Sequence, residues 1–128
     1  MAISAKVRRF VRERAGDRCE YCALSQNDLP FVRFHVEHII SSGQHGGSDD
    51  ESNLCLACHW CNFHKGPNIA GRESGQLVPL FNARTQVWSE HFLKRGDLIV
   101  GISPVGRVTV QVLNMNDEDR RELRRTNV

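Results

Sequence analysis

The sequence predicts a small α+β fold pinned by cysteines, with a helix at its N-terminus and a hairpin and helix forming a C-terminal extension. Three observations predict it. A helical period of apolar residues opens the chain, short segments with a two-residue period recur between polar turns, and five cysteines stand among 128 residues. That length suits one compact domain with a modest core. A hydrophobic fraction of 40% with 25% charged residues is that of an ordinary globular protein. No apolar run approaches the ~20 residues that a bilayer span requires. Met1-Ala2-Ile3-Ser4-Ala5-Lys6 also lacks the apolar stretch of a secretory leader. Membrane and secreted classes drop out on these grounds, and a cytoplasmic location is expected.

Residues 4–15 read as the first helix, with Ser4 as cap, Val7, Phe10, Val11 and Ala15 along one stripe, and Gly16 as stop. Arg8, Arg9 and Arg12 then share the opposite face, which is either solvated or phosphate-binding. The net charge of +2 does not by itself announce nucleic acid. The distribution is more telling: Lys6, Arg8, Arg9, Arg12, Arg14 and Arg18 meet only Glu13 and Asp17 at this end of the chain.

Next come two Cys-x-x-Cys pairs, Cys19/Cys22 and Cys58/Cys61. Thiolates three apart on a tight turn can share a tetrahedral ion, and two such turns complete a four-sulfur zinc site. A redox pair would need a thioredoxin-like βαβ pattern that neither pair has, and inert buried thiols would not recur at this spacing. Cys55 can replace Cys58 or Cys61 as a ligand. It is assigned instead to the core, because Leu54-Cys55-Leu56 reads as a short buried strand.

Between the pairs, Val32, Phe34 and Val36 alternate with Arg33, His35 and Glu37 as in a half-buried strand that runs into Glu37-His38-Ile39-Ile40. A long polar loop covers 41–52, with Gly43, Gly46, Gly47 and the triplet Asp49-Asp50-Glu51. After the second pair, Asn62 to Lys65 begins a short helix closed by Gly66-Pro67. From Gly71 the texture changes. Trp88, His91 and Phe92 are spaced for one side of a helical turn, and 98–102 and 108–113 read as strands around Ser103-Pro104-Val105-Gly106. A last helix, capped by Asn116 or Asp117, carries Arg120, Arg121, Arg124 and Arg125 against four acids and reads as solvated. Residues 1–70 are therefore expected to form the core and 71–128 an extension packed on it.

In chain order, Cys19-x-x-Cys22, Glu37-His38-Ile39-Ile40, Gly46-Gly47, Asn53-Leu54 and Cys58-x-x-Cys61-Asn62-x-x-Lys65-Gly66 resemble the HNH endonuclease family over about residues 15–66. Leu80-Phe81-Asn82, Trp88-x-x-His91-Phe92 and Gly106-Arg107 resemble an extension found on many small bacterial members. The resemblance implies a ββα-metal core around one catalytic divalent ion, Mg²⁺ or Mn²⁺, with Zn²⁺ at the four cysteines as scaffold. It implies Glu37 and Asn62 as ligands of the catalytic ion, His38 as general base, and Asn53 as the residue holding loop and base in place. Lys65 matches a basic position that could reach phosphate. Asn62 stands where many members carry His, and Glu37 where Asp is commoner. An amide oxygen suits a hard ion better than imidazole does.

The implied activity is metal-dependent DNA cleavage, cutting or nicking to leave a 3′-hydroxyl and a 5′-phosphate. DNA is the implied partner, and a homodimer is left open. Such hydrolysis needs an activated water, neutralisation of the phosphate and stabilisation of the departing oxygen, tasks that one His and one ion can divide. A DNA-binding zinc module with an idle nuclease centre is the alternative; a redox or zinc-sensing protein using Cys55-x-x-Cys58 is a third class. His35, His45 and His59 read as surface residues, whereas His64 competes with Asn62 for the metal. On a regular strand Glu37 and His38 point to opposite faces, so the strand must twist, bulge or end there, or the metal must sit at its margin.

Overall fold

The computed structural model describes residues 3–126. Met1 and Ala2, which open the segment read for a leader, and Asn127 and Val128, which end the expected extension, lie outside the described residues. Helix α1 (Ala5–Arg14) starts where Ser4 Oγ accepts the Val7 N–H at 3.2 Å. Val11 is its buried residue. Phe10 does not join the expected stripe: it is half exposed, with the Arg14 guanidinium 5.0 Å from its ring centre.

Strands β1 (His35–His38) and β2 (Leu54–Ala57) pair antiparallel, His35 opposite Ala57 and His38 opposite Leu54. Helix α3 (His59–Lys65) follows at once, because the Cys58 side chain caps it by accepting the Cys61 N–H. Two strands and a helix thus make a compact ββα unit. The connecting loop carries a single helical turn, α2 (Ser42–His45), and a 3₁₀ turn at Glu51–Asn53. β1 begins later than the alternation predicts. Its would-be first half is held by one side chain: Gln26 Nε2 donates to the Leu29 and Val32 carbonyls, and its Oε1 accepts the Phe34 N–H. With its backbone satisfied locally, the segment needs no strand partner, and Phe31 and Val32 stay exposed.

The remainder adds two more hairpins and two helices. β3 (Ala70–Glu73) and β4 (Gln76–Pro79) join through Ser74 and Gly75, both at positive φ, as a two-residue hairpin turn demands. β5 (Phe92–Arg95) pairs with β6 (Leu98–Gly101). Residues 108–113 are not a strand. They belong to α4 (Pro104–Val112), which Ser103 caps by accepting the Gly106 N–H at 3.0 Å, with Pro104 in the first turn. The expected partner of β6 is therefore replaced by β5. A Cβ on Gly106 would lie 1.9 Å from the His91 carbonyl oxygen, so only glycine lets α4 approach that backbone. Trp88 and Phe92 do meet, but across a 3₁₀ turn and a strand start rather than along one helix, with ring centres 5.1 Å apart.

One apolar cluster runs through the molecule, including Val11, Tyr21, Phe34, Leu54, Leu56, Phe81, Phe92, Ile99, Leu113 and Met115. Trp88 Nε1 donates to the Tyr21 carbonyl at 2.8 Å, and Arg84 pairs with Glu20. The final helix α5 (Glu118–Thr126) is not simply solvated, since Arg120 is completely buried. No helix among the described residues is long and apolar enough to cross a membrane.

Candidate metal centres

Cys19, Cys22, Cys58 and Cys61 converge although they come from two distant turns: their sulfurs all lie within 4.8 Å of one another, and all four are buried. Each pair is a local knuckle. The Cys22 N–H points at Cys19 Sγ and the Cys61 N–H at Cys58 Sγ, both at 3.4 Å. Tetrahedral zinc with Zn–S bonds of ~2.3 Å puts sulfurs about 3.8 Å apart, so the cluster fits that ion with little movement. Burial pushes the Cys19 and Cys61 thiols up, while hydrogen bonds from the other cysteines hold Cys22 below its ordinary value. Four thiolates together there require a cation. Cys55 stands apart, its sulfur 3.7 Å from Tyr21 Oη, and burial keeps it a neutral core thiol.

A second centre lies at the end of β1. Glu37, His38 and Asn62 line one open cleft of about 310 Å³ together with Ser41, Ser42, Gly43 and Gln44 of the loop and Gly66 and Pro67 beyond α3. The strand ends at His38, and this is how consecutive residues reach one cleft from opposite sides of the chain. Glu37 turns inward, 8% exposed, with Lys65 Nζ 3.6 Å from its Oε1. Burial pushes its carboxyl up to about 7 against the pull of Lys65. His38 turns outward, its Nε2 2.7 Å from Asp49 Oδ1. That contact holds the Asp49 carboxyl below its ordinary value.

The loop is fastened by Asn53. Its Oδ1 accepts the Ile40 N–H at 2.9 Å, and its Nδ2 donates to the carbonyls of Ile40 and Ser48 at 2.9 and 2.8 Å. Gly47 completes the fastening: its N–H reaches the Ser41 carbonyl, and a Cβ there would fall 1.8 Å from the Ile40 oxygen. Glu37 and Asn62 both line the cleft, but the Glu37 carboxylate is turned from it toward Lys65 and Cys55, so of the two expected oxygen donors Glu37 is held on the core side.

Other expected residues lie elsewhere. His64 is not among the cleft residues and packs edge-on against Phe63; His35 is exposed at the far end of β1. Lys65 cannot serve as an exposed phosphate contact. It is 2% exposed, and its ammonium is turned inward onto Glu37 and the His38 carbonyl at 3.2 Å. Arg12 is likewise committed, donating to the Phe34 carbonyl at 2.9 Å, whereas Arg8 and Arg9 are exposed. Two residues escaped the sequence reading. Asp49 lay in an acidic triplet beside Gly46-Gly47, and that loop position was its only signal. Arg120 carried none, because its partner Cys61 is distant in sequence. The family model of the HNH endonuclease matches residues 19–68. Comparison with curated proteins and with solved structures gives no match.

Proposed function

Starting from an HNH endonuclease segment at residues 19–68, which points to a nuclease or DNA-binding role, we propose that the protein is a metal-dependent DNA endonuclease, cutting or nicking its substrate. The observation that carries this reading is the meeting of Glu37, His38 and Asn62 on one open cleft under a loop pinned by Asn53. His38 acts as general base. With its Nε2–H donated to Asp49, the ring keeps its lone pair on Nδ1 to take a proton from water, and Asp49 stabilises the imidazolium that results. Glu37 and Asn62 hold the catalytic Mg²⁺ or Mn²⁺, which supplies charge neutralisation at the scissile phosphate and at the departing oxygen. Lys65 fixes the Glu37 carboxylate from behind, and the cysteine tetrad holds Zn²⁺ as scaffold for β2 and α3. The exposed arginines Arg8 and Arg9 contribute to phosphate attraction. Residues 71–128 serve as an extension to the 1–70 core.

Incubation of supercoiled plasmid with the protein in Mg²⁺, Mn²⁺ or EDTA tests this. Relaxed or linear DNA bearing 5′-phosphate ends, formed only with a divalent ion, is the expected outcome. Plasmid bound but intact in every ion would instead identify a DNA-binding module whose nuclease centre is idle.

A further inference from the structure

Helix α5 sends two arginines, one turn apart, beneath the cysteine tetrad. Arg120 is fully buried, and its Nη1 donates to Cys61 Sγ at 3.1 Å. Its Nε pairs with Asp117, and its Nη2 donates to the carbonyls of Leu113 and Asn114. Arg124 donates through Nη2 to the Met115 carbonyl at 2.6 Å, and through Nη1 to the Asp97 carbonyl and Asn116 Oδ1. Its buried Nε finds no hydrogen-bond partner. Arg124 lines one pocket together with Cys22, which is also the strongest attraction opposing its partial burial.

One buried and one partly buried cation on the same side of a small core demand negative charge, and Asp117 offsets only one of them. Four thiolates around Zn²⁺ carry a net charge of −2, in a site where all four ligands are buried. We propose that Arg120 and Arg124 are the counter-ions of the zinc centre and that they latch α5 to it, so that zinc and the C-terminal helix stabilise each other. The latch rests on the reading of the tetrad as a zinc site. Donation to a thiolate sulfur withdraws charge from it, holding the ion and shielding the sulfur from electrophiles, as outer partners of metal ligands do. Coupling is reciprocal, so removing zinc should also loosen α5.

The test is the rate at which the zinc-loaded protein gives up its ion to a coloured chelator, with helix content followed by circular dichroism. Arg124→Met should release zinc roughly tenfold faster, the scale typical for loss of an outer partner. Arg124→Lys should recover part of the difference, and Arg120→Met should exceed it. Arg121→Met is the control, because Arg121 anchors the same helix through Asp97 at 3.1 Å without facing the tetrad. It should release zinc at the parental rate. In cobalt-substituted protein the thiolate-to-metal absorption should shift in Arg120→Met and stay in place in Arg121→Met.

Parental release rates in folded Arg120→Met and Arg124→Met would overturn the latch. So would equal acceleration by Arg121→Met, which would mean general loosening of α5. If Arg120→Met does not fold, the Arg124 pair decides alone. A parent protein that binds no zinc removes the zinc reading itself; a one-zinc parent with insensitive arginine variants removes only the latch.

Discussion

Glu37 and Lys65 form a buried ion pair whose cost can be titrated. In the absence of divalent ions the folded carboxyl takes up its proton near 7, above the ordinary glutamate value, so between those limits the native state binds a proton that the unfolded chain has released. Stability contributed by this group therefore falls as pH rises through that window. Glu37→Gln abolishes the slope. Denaturant unfolding in Mg²⁺-free buffer should show the variant gaining about 2 kcal/mol on the parent between pH 5 and 7.5, by linkage. An unchanged difference would mean that the carboxyl titrates normally. The pair was hidden from the sequence because burial of Lys65 depends on a partner from another element. The cysteine pairs were legible because their geometry is local: three-residue spacing alone bends the chain into a knuckle.

At the scale of elements, the loop between β1 and β2 is held by side chain rather than by ladder. Asn53→Ala leaves the Ile40 N–H and two carbonyls without partners, at a cost of roughly 1–3 kcal/mol for each group that stays buried. The loop carries Asp49, so the variant should lose both unfolding free energy and His38 orientation. Denaturation midpoints and plasmid cleavage should fall together, whereas a stable variant with parental cleavage would release Asn53 from both roles. Other elements were legible to differing degrees. The α1 boundaries follow from Ser4 and Gly16. Residues 108–113 misled because Val-Thr-Val-Gln-Val-Leu alternates as a strand does; the stronger signal was the Ser103-Pro104 cap, which starts a helix whatever the β-branched content that follows.

Across the whole molecule, arginine is used as internal mortar. Arg12, Arg14, Arg84, Arg120 and Arg124 all donate to backbone carbonyls, so a basic count taken from the sequence overstates the charge free for DNA. Arg8→Ala with Arg9→Ala should lower the slope of log affinity against log salt by up to about 2, since each neutralised phosphate contributes ~0.9. Lys65→Met should leave that slope unchanged while destabilising the fold, because its ammonium faces Glu37. A reduced slope in Lys65→Met would place that side chain on DNA after all.

The proposed cleavage turns on His38. Cleavage of supercoiled plasmid by folded, zinc-loaded His38→Ala, measured beside the parent across a Mn²⁺ series, tests it most directly. The loss should be roughly 10²–10⁴-fold, the scale of a general base, with DNA affinity intact and no recovery at high Mn²⁺, since added metal supplies no proton acceptor. Glu37→Ala and Asn62→Ala should recover in part as Mn²⁺ rises. Cleavage by His38→Ala at the parental rate would contradict the account.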